Sequence, residues 1–271
     1  MTATPPTDPA PDAEQAAARW QARRLDGLPP DEAACALFVV AGGWALWQQQ
    51  PVYAKTFATA RGQQLDVQLP DGSVLQLDTA TRAEVTLYRQ RREVRLPEGQ
   101  AHFSVQADAA RPFDVLAGPL RITVVGTRFS VRHTQAGLDA GGVRVTVEEG
   151  RVRVASAEPA AGAEPRLLGP GEAVAADAGG RLRGTSAAPA AGALLWREGR
   201  ANFENTPLAQ ALAEFERYGP TGLTVRDPAV AAMRINGSFD LRQFGAFAKA
   251  LPQVLPVRLQ PREGTTEIAP R

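Results

Sequence analysis

Apolar residues follow three different spacings along the chain, and each spacing predicts a different kind of structure. Residues 33–47, AACALFVVAGGWALW, contain no charge. From Gln64 onward, apolar and polar residues alternate in short segments, which is typical of strands with one buried face. Beyond residue 194 the three- and four-residue spacing of amphipathic helices appears between further short strands. The pattern therefore predicts an apolar segment, a β domain and a small α+β module, in that order.

The alternating segments predict about ten short strands. Their apolar positions include Leu65, Val67, Leu75, Leu77, Val85, Leu87, Val94, Leu96, Phe103, Val105, Phe113, Val115, Ile122, Val124, Phe129, Val131, Val143, Val145, Val152 and Val154. Turn residues such as Pro70-Asp71-Gly72 and Pro97-Glu98-Gly99 separate the strands. The fold class predicted for residues 55–178 is therefore mainly β, an antiparallel β-sandwich or roll. Residues 179–194 are mostly small and flexible and are interpreted as a linker.

The C-terminal segment, residues 195–271, combines two predicted helices with short strands. The first helix is predicted from four positions spaced by three or four residues: Leu208, Leu212, Phe215 and Tyr218. Thr206 and Pro207 open this helix and Gly219 closes it. A second helix is predicted after Asp240. The order is βαβ followed by βαββ, a small α+β module with an approximate internal duplication.

Three interpretations are open for the charge-free run. As a helix its 15 residues extend roughly 22 Å, against about 30 Å for a bilayer core, and uncharged residues up to Tyr53 lengthen it. Trp44, Trp47 and Tyr53 lie at the C-terminal end of the run, where aromatic residues of membrane helices commonly meet the membrane–water interface. We interpret residues 33–54 as one membrane-spanning helix, with the N-terminus in the cytoplasm because slightly more basic residues precede it. The alternatives are a cleaved signal peptide and a buried core helix.

The segment before the run, residues 1–32, predicts one short helix over residues 13–25. A helix of this length is marginal alone in water, so it needs a partner. Its one large aromatic residue is Trp20, with Arg23 and Arg24 near the C-terminal end, where the helix dipole favours positive charge. The alternative is a membrane-proximal helix whose tryptophan contacts lipid headgroups.

Composition excludes several functional classes. The net charge of +1 gives no field that would attract nucleic acid. The single cysteine, Cys35, lies in the apolar run, so the region beyond it has no thiol, which suits an oxidising compartment. Phosphate-binding glycine loops and a GxSxG nucleophile elbow are absent from the sequence, and we predict neither an enzyme, a cofactor nor a metal site. His102 and His133 are interpreted as surface or half-buried strand residues. Residues 89–92, RQRR, are interpreted as a solvated turn.

An ordered series of short motifs resembles the FecR family of membrane-spanning anti-sigma factors. The motifs are TARGQ at 59–63, LPDGSVLQLD at 69–78, REVRL at 92–96, EGQAHFSV at 98–105, RPFDV at 111–115, VGTRFSV at 125–131 and VEEGRV at 147–152. The C-terminal part agrees, since WREGR at 196–200, Phe203, residues 206–208 and Arg217-Tyr218 resemble the end of that family. That end is similar to the secretin and TonB N-terminus fold. Residues 17–20 and 24–25 resemble the start of the family's sigma-binding region, here shortened.

The resemblance implies a signal relay in a Gram-negative envelope. Residues 1–32 would contact an extracytoplasmic-function sigma factor through Trp20, Arg23 and Arg24. One helix would cross the inner membrane, placing the β domain and the terminal module in the periplasm. The module would receive a signal from a TonB-dependent outer-membrane receptor, usually one for iron-siderophore uptake. The alternative function is a membrane-anchored periplasmic structural or assembly protein that docks a secretin-like partner.

Two further sites are hypotheses. Strand edges of the module and the Arg217-Tyr218 corner are predicted to dock the receptor's signalling domain, unless Tyr218 merely closes its helix against the core. The Gly126-Thr127 bond resembles a step at which some FecR-like proteins cleave themselves. A threonine hydroxyl can attack the preceding carbonyl carbon if a base or oxyanion donor is near, and His133 is one such base. The alternative is a structural strand residue with glycine easing a bulge.

Overall fold

The computed structural model describes residues 43–44, 46–158, 164–187, 192, 194–262 and 264–271. The chain divides into two compact units, residues 1–50 and residues 51–271. In the first unit the described residues up to Gln49 are helical, and the ring centroids of Trp44 and Trp47 lie 5.1 Å apart. No helix within the described part of the chain is both long enough and apolar enough to cross a membrane.

Most of the predicted membrane span lies outside the described residues, as do all three predicted sigma-factor contacts, Trp20, Arg23 and Arg24. The end of the predicted span does lie within them. Tyr53 and Ala54 form the start of a strand rather than the end of a helix, and Tyr53 pairs with Leu87.

The second unit begins with thirteen strands, which we call the β domain. They are β1 (Tyr53–Ala58), β2 (Leu65–Gln68), β3 (Val74–Leu77), β4 (Arg82–Leu87), β5 (Arg92–Ser104), β6 (Phe113–Ala117), β7 (Leu120–Val124), β8 (Arg128–Thr134), β9 (Gly142–Glu149), β10 (Val152–Ser156), β11 (Arg166–Leu168), β12 (Glu172–Ala176) and β13 (Leu182–Ala187). They join into one sheet that curls on itself through the long strand β5. The prediction of a mainly β, largely antiparallel fold is confirmed.

Strand β5 belongs to both halves of the curled sheet. Its first part, residues 92–95, pairs with β4 and β6 in the first sheet, which also holds β1, β7, β10 and β11. Its second part, residues 99–104, pairs with β3 and β8 in the second sheet, with β2, β9, β12 and β13. The apolar faces of the two sheets share one core, in which Phe103 stacks on Phe129 at 5.0 Å between ring centroids.

The bend in β5 corrects one prediction. Pro97, Glu98 and Gly99 were expected to form a turn between strands, yet they lie inside β5 where its pairing with β4 shifts register. Gly99 has a φ of +113°, and a Cβ there would stand 2.3 Å from Thr81 Oγ1. Glycine is therefore required by both the backbone angle and the close approach of the neighbouring chain.

A second correction concerns residues 89–92. The turn exists, since the Tyr88 amide bonds to the Arg91 carbonyl oxygen, but its last residue is not solvated. Arg92 is fully buried and donates to the Asp71 carboxylate over 2.9 Å. The Asp71 carboxylate balances the charge of the Arg92 guanidinium, which can therefore lie inside the domain without being unpaired.

The linker is shorter than predicted. Residues 182–187, which the sequence suggested were part of it, form β13 and pair with β12. Small residues can form an edge strand when the neighbouring strand supplies the backbone hydrogen bonds.

Residues 195–271 form the C-terminal module. It contains a 3-10 helix (Leu195–Glu198), β14 (Arg200–Pro207), α1 (Leu208–Tyr218), β15 (Leu223–Thr224), α2 (Pro228–Ala231), β16 (Arg234–Asp240), α3 (Phe244–Val254), β17 (Val257–Arg262) and β18 (Thr265–Pro270). Strands β14 and β16 pair, and β18 lies between β15 and β17. The order agrees with the predicted βαβ and βαββ series, with the short helix α2 added. Its own core contains Phe203, Phe215 and Phe247.

Candidate functional site

The outer face of the second sheet is polar and nevertheless buried. Along β5 and β8, core residues such as Phe103 alternate with Gln100, Ser130 and Arg132 on the opposite face. These three residues are at most 6% exposed, because the C-terminal module lies over them and contacts Arg132 through Glu214 of α1. The junction on this face is therefore built largely from polar groups, which must find partners there.

Arg132 and Glu214 form a bidentate ion pair across this junction. Arg132 Nη1 lies 3.1 Å from Glu214 Oε1, and Nη2 donates to Oε2. Arg132 also donates from Nη1 to Gln100 Oε1 over 3.0 Å and from Nε to the Leu138 carbonyl oxygen over 2.9 Å. The two side chains are 8% and 2% exposed. The two parallel bonds fix the orientation of α1 on the sheet as well as its distance.

Two further side chains of α1 reach Asp78, which follows β3. The Tyr218 hydroxyl donates to the Asp78 carboxylate, at 2.9 Å from Oδ1 and 2.8 Å from Oδ2. Arg217 Nη2 lies 3.5 Å from Asp78 Oδ2 and donates to the Thr79 carbonyl oxygen over 3.3 Å. Arg217 Nη1 donates to Glu214 Oε1 over 2.9 Å. Spacings of three and four residues bring these side chains onto one face of α1.

We call Asp78, Arg132, Glu214, Arg217 and Tyr218 the junction cluster. Its charges alternate in sign from Arg132 through Glu214 and Arg217 to Asp78, so each buried charge has an opposite neighbour. Two of the three ion pairs cross the junction, and the third lies within α1. The cluster therefore joins the β domain to the module at two separate points.

Two glycines permit the close approach of α1. At Gly62 a Cβ would stand 2.7 Å from the Tyr218 carbonyl oxygen, and at Gly137 it would stand 2.2 Å from Glu214 Oε2. The Thr79 hydroxyl links the same chains, since it accepts from the Gly62 amide and donates to the Arg217 carbonyl oxygen, each over 2.7 Å. A side chain at Gly62 would push α1 away from the loop after β1, and one at Gly137 would displace the Glu214 carboxylate.

Burial and ion pairing act in opposite directions on the acids of the cluster. Burial acts to raise the pKa of Glu214, but the charge and hydrogen bonds of Arg132, with Arg217, outweigh it and hold the pKa below its ordinary value. At Asp78 burial dominates and raises the pKa, although Arg217 and Tyr218 oppose it. Burial and the Asp78 charge also raise the pKa of Tyr218. Tyr218 therefore keeps its proton and remains a donor.

A cleft of about 450 Å³ lies beside the cluster, between the second sheet and the module. Arg132 and Glu214 form part of its wall, and Gln100 and Thr146 of the sheet face Asn202 of β14 across it. The other charged lining residues are Asp139, Arg144, Arg200 and Glu204. Three arginines and three carboxylates balance, so the cleft has no net charge to select a ligand by sign.

The predicted receptor contacts, Arg217 and Tyr218, both lie in the junction cluster. Their polar groups are bound within the chain, and the Arg217 side chain is 8% exposed. A receptor would reach them only if the junction opened, and receptor docking at this corner stays a prediction. Asp78, Arg132 and Glu214 were not identified from the sequence. The one available signal was the polar member of the strand alternation at Arg132, which does not distinguish a wet face from a covered one.

The Gly126-Thr127 step precedes β8 in a tight environment. The Thr127 hydroxyl donates to the Arg151 carbonyl oxygen over 3.1 Å. A Cβ at Gly126 would stand 2.7 Å from Ala107 Cβ, which explains the glycine by close approach. His133, named as a base from the sequence, instead pairs its Nδ1 with the Leu96 carbonyl oxygen at 3.2 Å. These contacts account for both residues structurally, and self-cleavage stays a prediction.

His102 is more buried than predicted. It lies on the outer face of the second sheet, is 2% exposed, and has its Nε2 2.8 Å from Glu148 Oε2. Burial lowers the pKa of His102, although the hydrogen bond to Glu148 opposes this. The expectation of a surface or half-buried residue is wrong for His102, because the module covers its face, and correct for His133.

The fold and the junction define a protein of two parts, a curled β domain and an α+β module docked on its polar face. Residues 55–153 match the family model described as FecR protein, which confirms the resemblance over that region. Two crystal structures of a protein from Parabacteroides distasonis, described as a candidate anti-sigma factor, are similar to the chain at 24% identity. Their TM-scores are 0.68 and 0.69, and they cover 81% and 80% of this chain and 100% and 99% of their own.

At this identity the two structures establish a shared fold that extends through the C-terminal module. No curated protein sequence matches the chain significantly. The FecR match covers most of the β domain, and the shared fold covers the β domain together with the module.

Proposed function

We propose that the protein is a FecR-type transmembrane regulator of an extracytoplasmic-function sigma factor. Residues 1–32 contact the sigma factor, one helix over the charge-free run crosses the inner membrane, and residues 55–271 lie in the periplasm. The observation that carries the proposal is the FecR match over residues 55–153. The absence of cysteine beyond Cys35 supports an oxidising location for that region.

The signal that the module receives is proposed to come from a TonB-dependent outer-membrane receptor, as in iron-siderophore uptake. Two open sheets in the module support this, because small α+β modules can associate through strand edges. The similarity to secretin and TonB N-terminal domains belongs to the same proposal.

Binding of residues 1–32 to a sigma factor encoded beside this protein tests the cytoplasmic part. We expect the peptide to retain that sigma factor on a column, and Trp20→Ala to abolish retention because it removes the one large apolar anchor. Asp12→Ala is the control and should bind normally. Equal binding by Trp20→Ala and the unchanged peptide would contradict the assigned contact, and no binding by either would contradict the function.

Signalling through the module is tested in cells with a sigma-dependent reporter. Deleting residues 196–271 should leave the reporter insensitive to the receptor's ligand, while alkaline phosphatase fused after residue 271 of the full chain should be active. Retained induction in the deletion would rule out the module as the receiver. Inactive fusions with normal protein levels would contradict the proposed topology.

A further inference from the structure

We propose that the junction cluster is a latch, which opens and releases the C-terminal module from the β domain while both parts stay folded. Its use as a signalling switch rests on the proposed function, whereas the opening itself is a property of the molecule. The latch would give the chain two states, docked and released.

Separate cores are the first argument. The apolar residues of the β domain form one cluster and those of the module form another. Leu138, in the loop after β8, is the β-domain residue that packs at the edge of the module's core. Each part can therefore keep its own core when the junction opens, since the hydrophobic effect holds each core separately.

The chemistry of the crossing contacts is the second argument. Side-chain bonds from Arg132, Asp78 and Thr79 to α1 all join polar or charged groups. Buried ion pairs gain Coulomb energy but lose hydration, and the two nearly cancel. When the junction opens, water replaces the partner at each charge, so separating these polar contacts costs far less than exposing an apolar surface of the same size. The apolar contact that must also separate is that of Leu138 with the module's core. The cluster fixes one docked geometry without making it permanent.

Access of water is the third argument. The cleft of about 450 Å³ opens to solvent, and both Arg132 and Glu214 form part of its wall. The central ion pair is buried in the docked state, but it lies at the wall of an open cleft, so water can enter from the cleft when α1 begins to move.

One backbone amide reports the latch directly. The Leu138 N–H, in the β domain, donates across the junction to Glu214 Oε2 over 2.9 Å. Two other amides report the folding of each part: Leu208 donates to the Met233 carbonyl oxygen within the module, and Arg92 donates to the Pro112 carbonyl oxygen within the β domain. Hydrogen exchange at these three amides in the full-length protein separates opening from unfolding.

We expect Leu138 to exchange roughly 100-fold faster than Leu208 and Arg92, because sub-global opening needs less free energy than unfolding. Glu214→Gln should accelerate Leu138 by a further factor of about 100 or more, because it removes the charge that pairs with both buried arginines. Leu208 and Arg92 should accelerate by no more than the same factor and stay slower than Leu138, because unfolding of either part breaks the cluster as well. Glu216→Gln is the matched control on the same helix, since its partner Arg61 and Glu216 itself are 44% and 42% exposed.

Exchange of Leu138 no faster than that of Leu208 and Arg92 would overturn the proposal, because the junction would then open only on unfolding. Equal acceleration by Glu214→Gln and Glu216→Gln would also overturn it, because the buried cluster would not be what holds the module. Neither result depends on the sigma-dependent reporter. If hydrogen exchange shows that the junction opens but the protein has no effect on the reporter, the latch stands and the proposed function is refuted.

Discussion

Arg92→Met should destabilise the β domain far more than the same change three positions along the strand. Arg92 lies at the start of β5 and is fully buried. Its Nη1 donates to Asp71 Oδ2 and to the Gln106 carbonyl oxygen, each over 2.9 Å, and its Nε donates to the Arg111 carbonyl oxygen over 2.8 Å. Methionine fills similar space but donates nothing, so all three acceptors lose this partner.

The magnitude follows from what is left behind. Asp71, with a side chain 2% exposed, would keep its bonds from Ser73 but lose its counter-charge. Removing one member of a buried ion pair costs about 3–5 kcal/mol. Because Asp71 keeps its bonds from Ser73, the cost of leaving its charge unpaired is at the low end of this range, near 3 kcal/mol. The loss of a donor at the two carbonyl oxygens adds about 1 kcal/mol together. The total of about 4 kcal/mol corresponds to a fall in Tm of roughly 10 °C for a unit of this size.

The assay is thermal unfolding of the full-length protein followed by circular dichroism. Arg95→Met is the matched control, because Arg95 is 62% exposed and its pair with Glu93 should contribute less than about 1 kcal/mol. A double change, Arg92→Met with Asp71→Leu, should recover part of the loss, since no unpaired charge then remains buried. Equal Tm values for Arg92→Met and Arg95→Met would refute the reasoning that burial makes this pair costly to break.

Three further predictions concern other positions. Gly99→Ala should lower the free energy of unfolding by about 2 kcal/mol or more, measured by urea titration, because its Cβ would meet Thr81 and its φ is positive. Stability should fall as the pH drops below 6.5, the ordinary pKa of histidine, because burial lowers the pKa of His102 and the unfolded chain binds its proton more readily; His102→Gln should reduce that slope in urea midpoints from pH 7 to 5. If Thr127 attacks the preceding carbonyl, intact mass spectrometry of incubated protein should show a fragment starting at Thr127, absent from Thr127→Ala. A single uncut species in both proteins would mean that Thr127 is structural.

The sequence could identify elements better than their partners. Alternation along residues 64–154 predicted most of the β strands, and helical spacing predicted α1 and its end at Gly219. The prediction of a turn was wrong within β5, where turn residues lie inside a continuous strand. The prediction of a linker was wrong at β13, where small residues form an edge strand. In both places pairing with a neighbouring strand outweighs the local preference of the residues.

In the candidate site, too, the sequence identified some residues but not the partners that they contact. Arg217 and Tyr218 were noticed by resemblance, but their partner Asp78 lies about 140 residues away in sequence and adjacent in space. Nothing in the pattern of Arg132 or Glu214 distinguishes a paired, covered charge from a solvated one. That distinction requires the position of α1 over the second sheet.

What the sequence alone determined is the local structure: which segments alternate, which are amphipathic, and where motifs of the FecR type occur. These depend on spacing along one chain, which is visible in the residues themselves. Only the tertiary structure decided that β5 joins two sheets, that Arg92 and His102 are buried, and that the module docks through alternating charges. Burial and ion pairing depend on which distant segments meet, and charged side chains look alike in sequence whether water or another charge surrounds them.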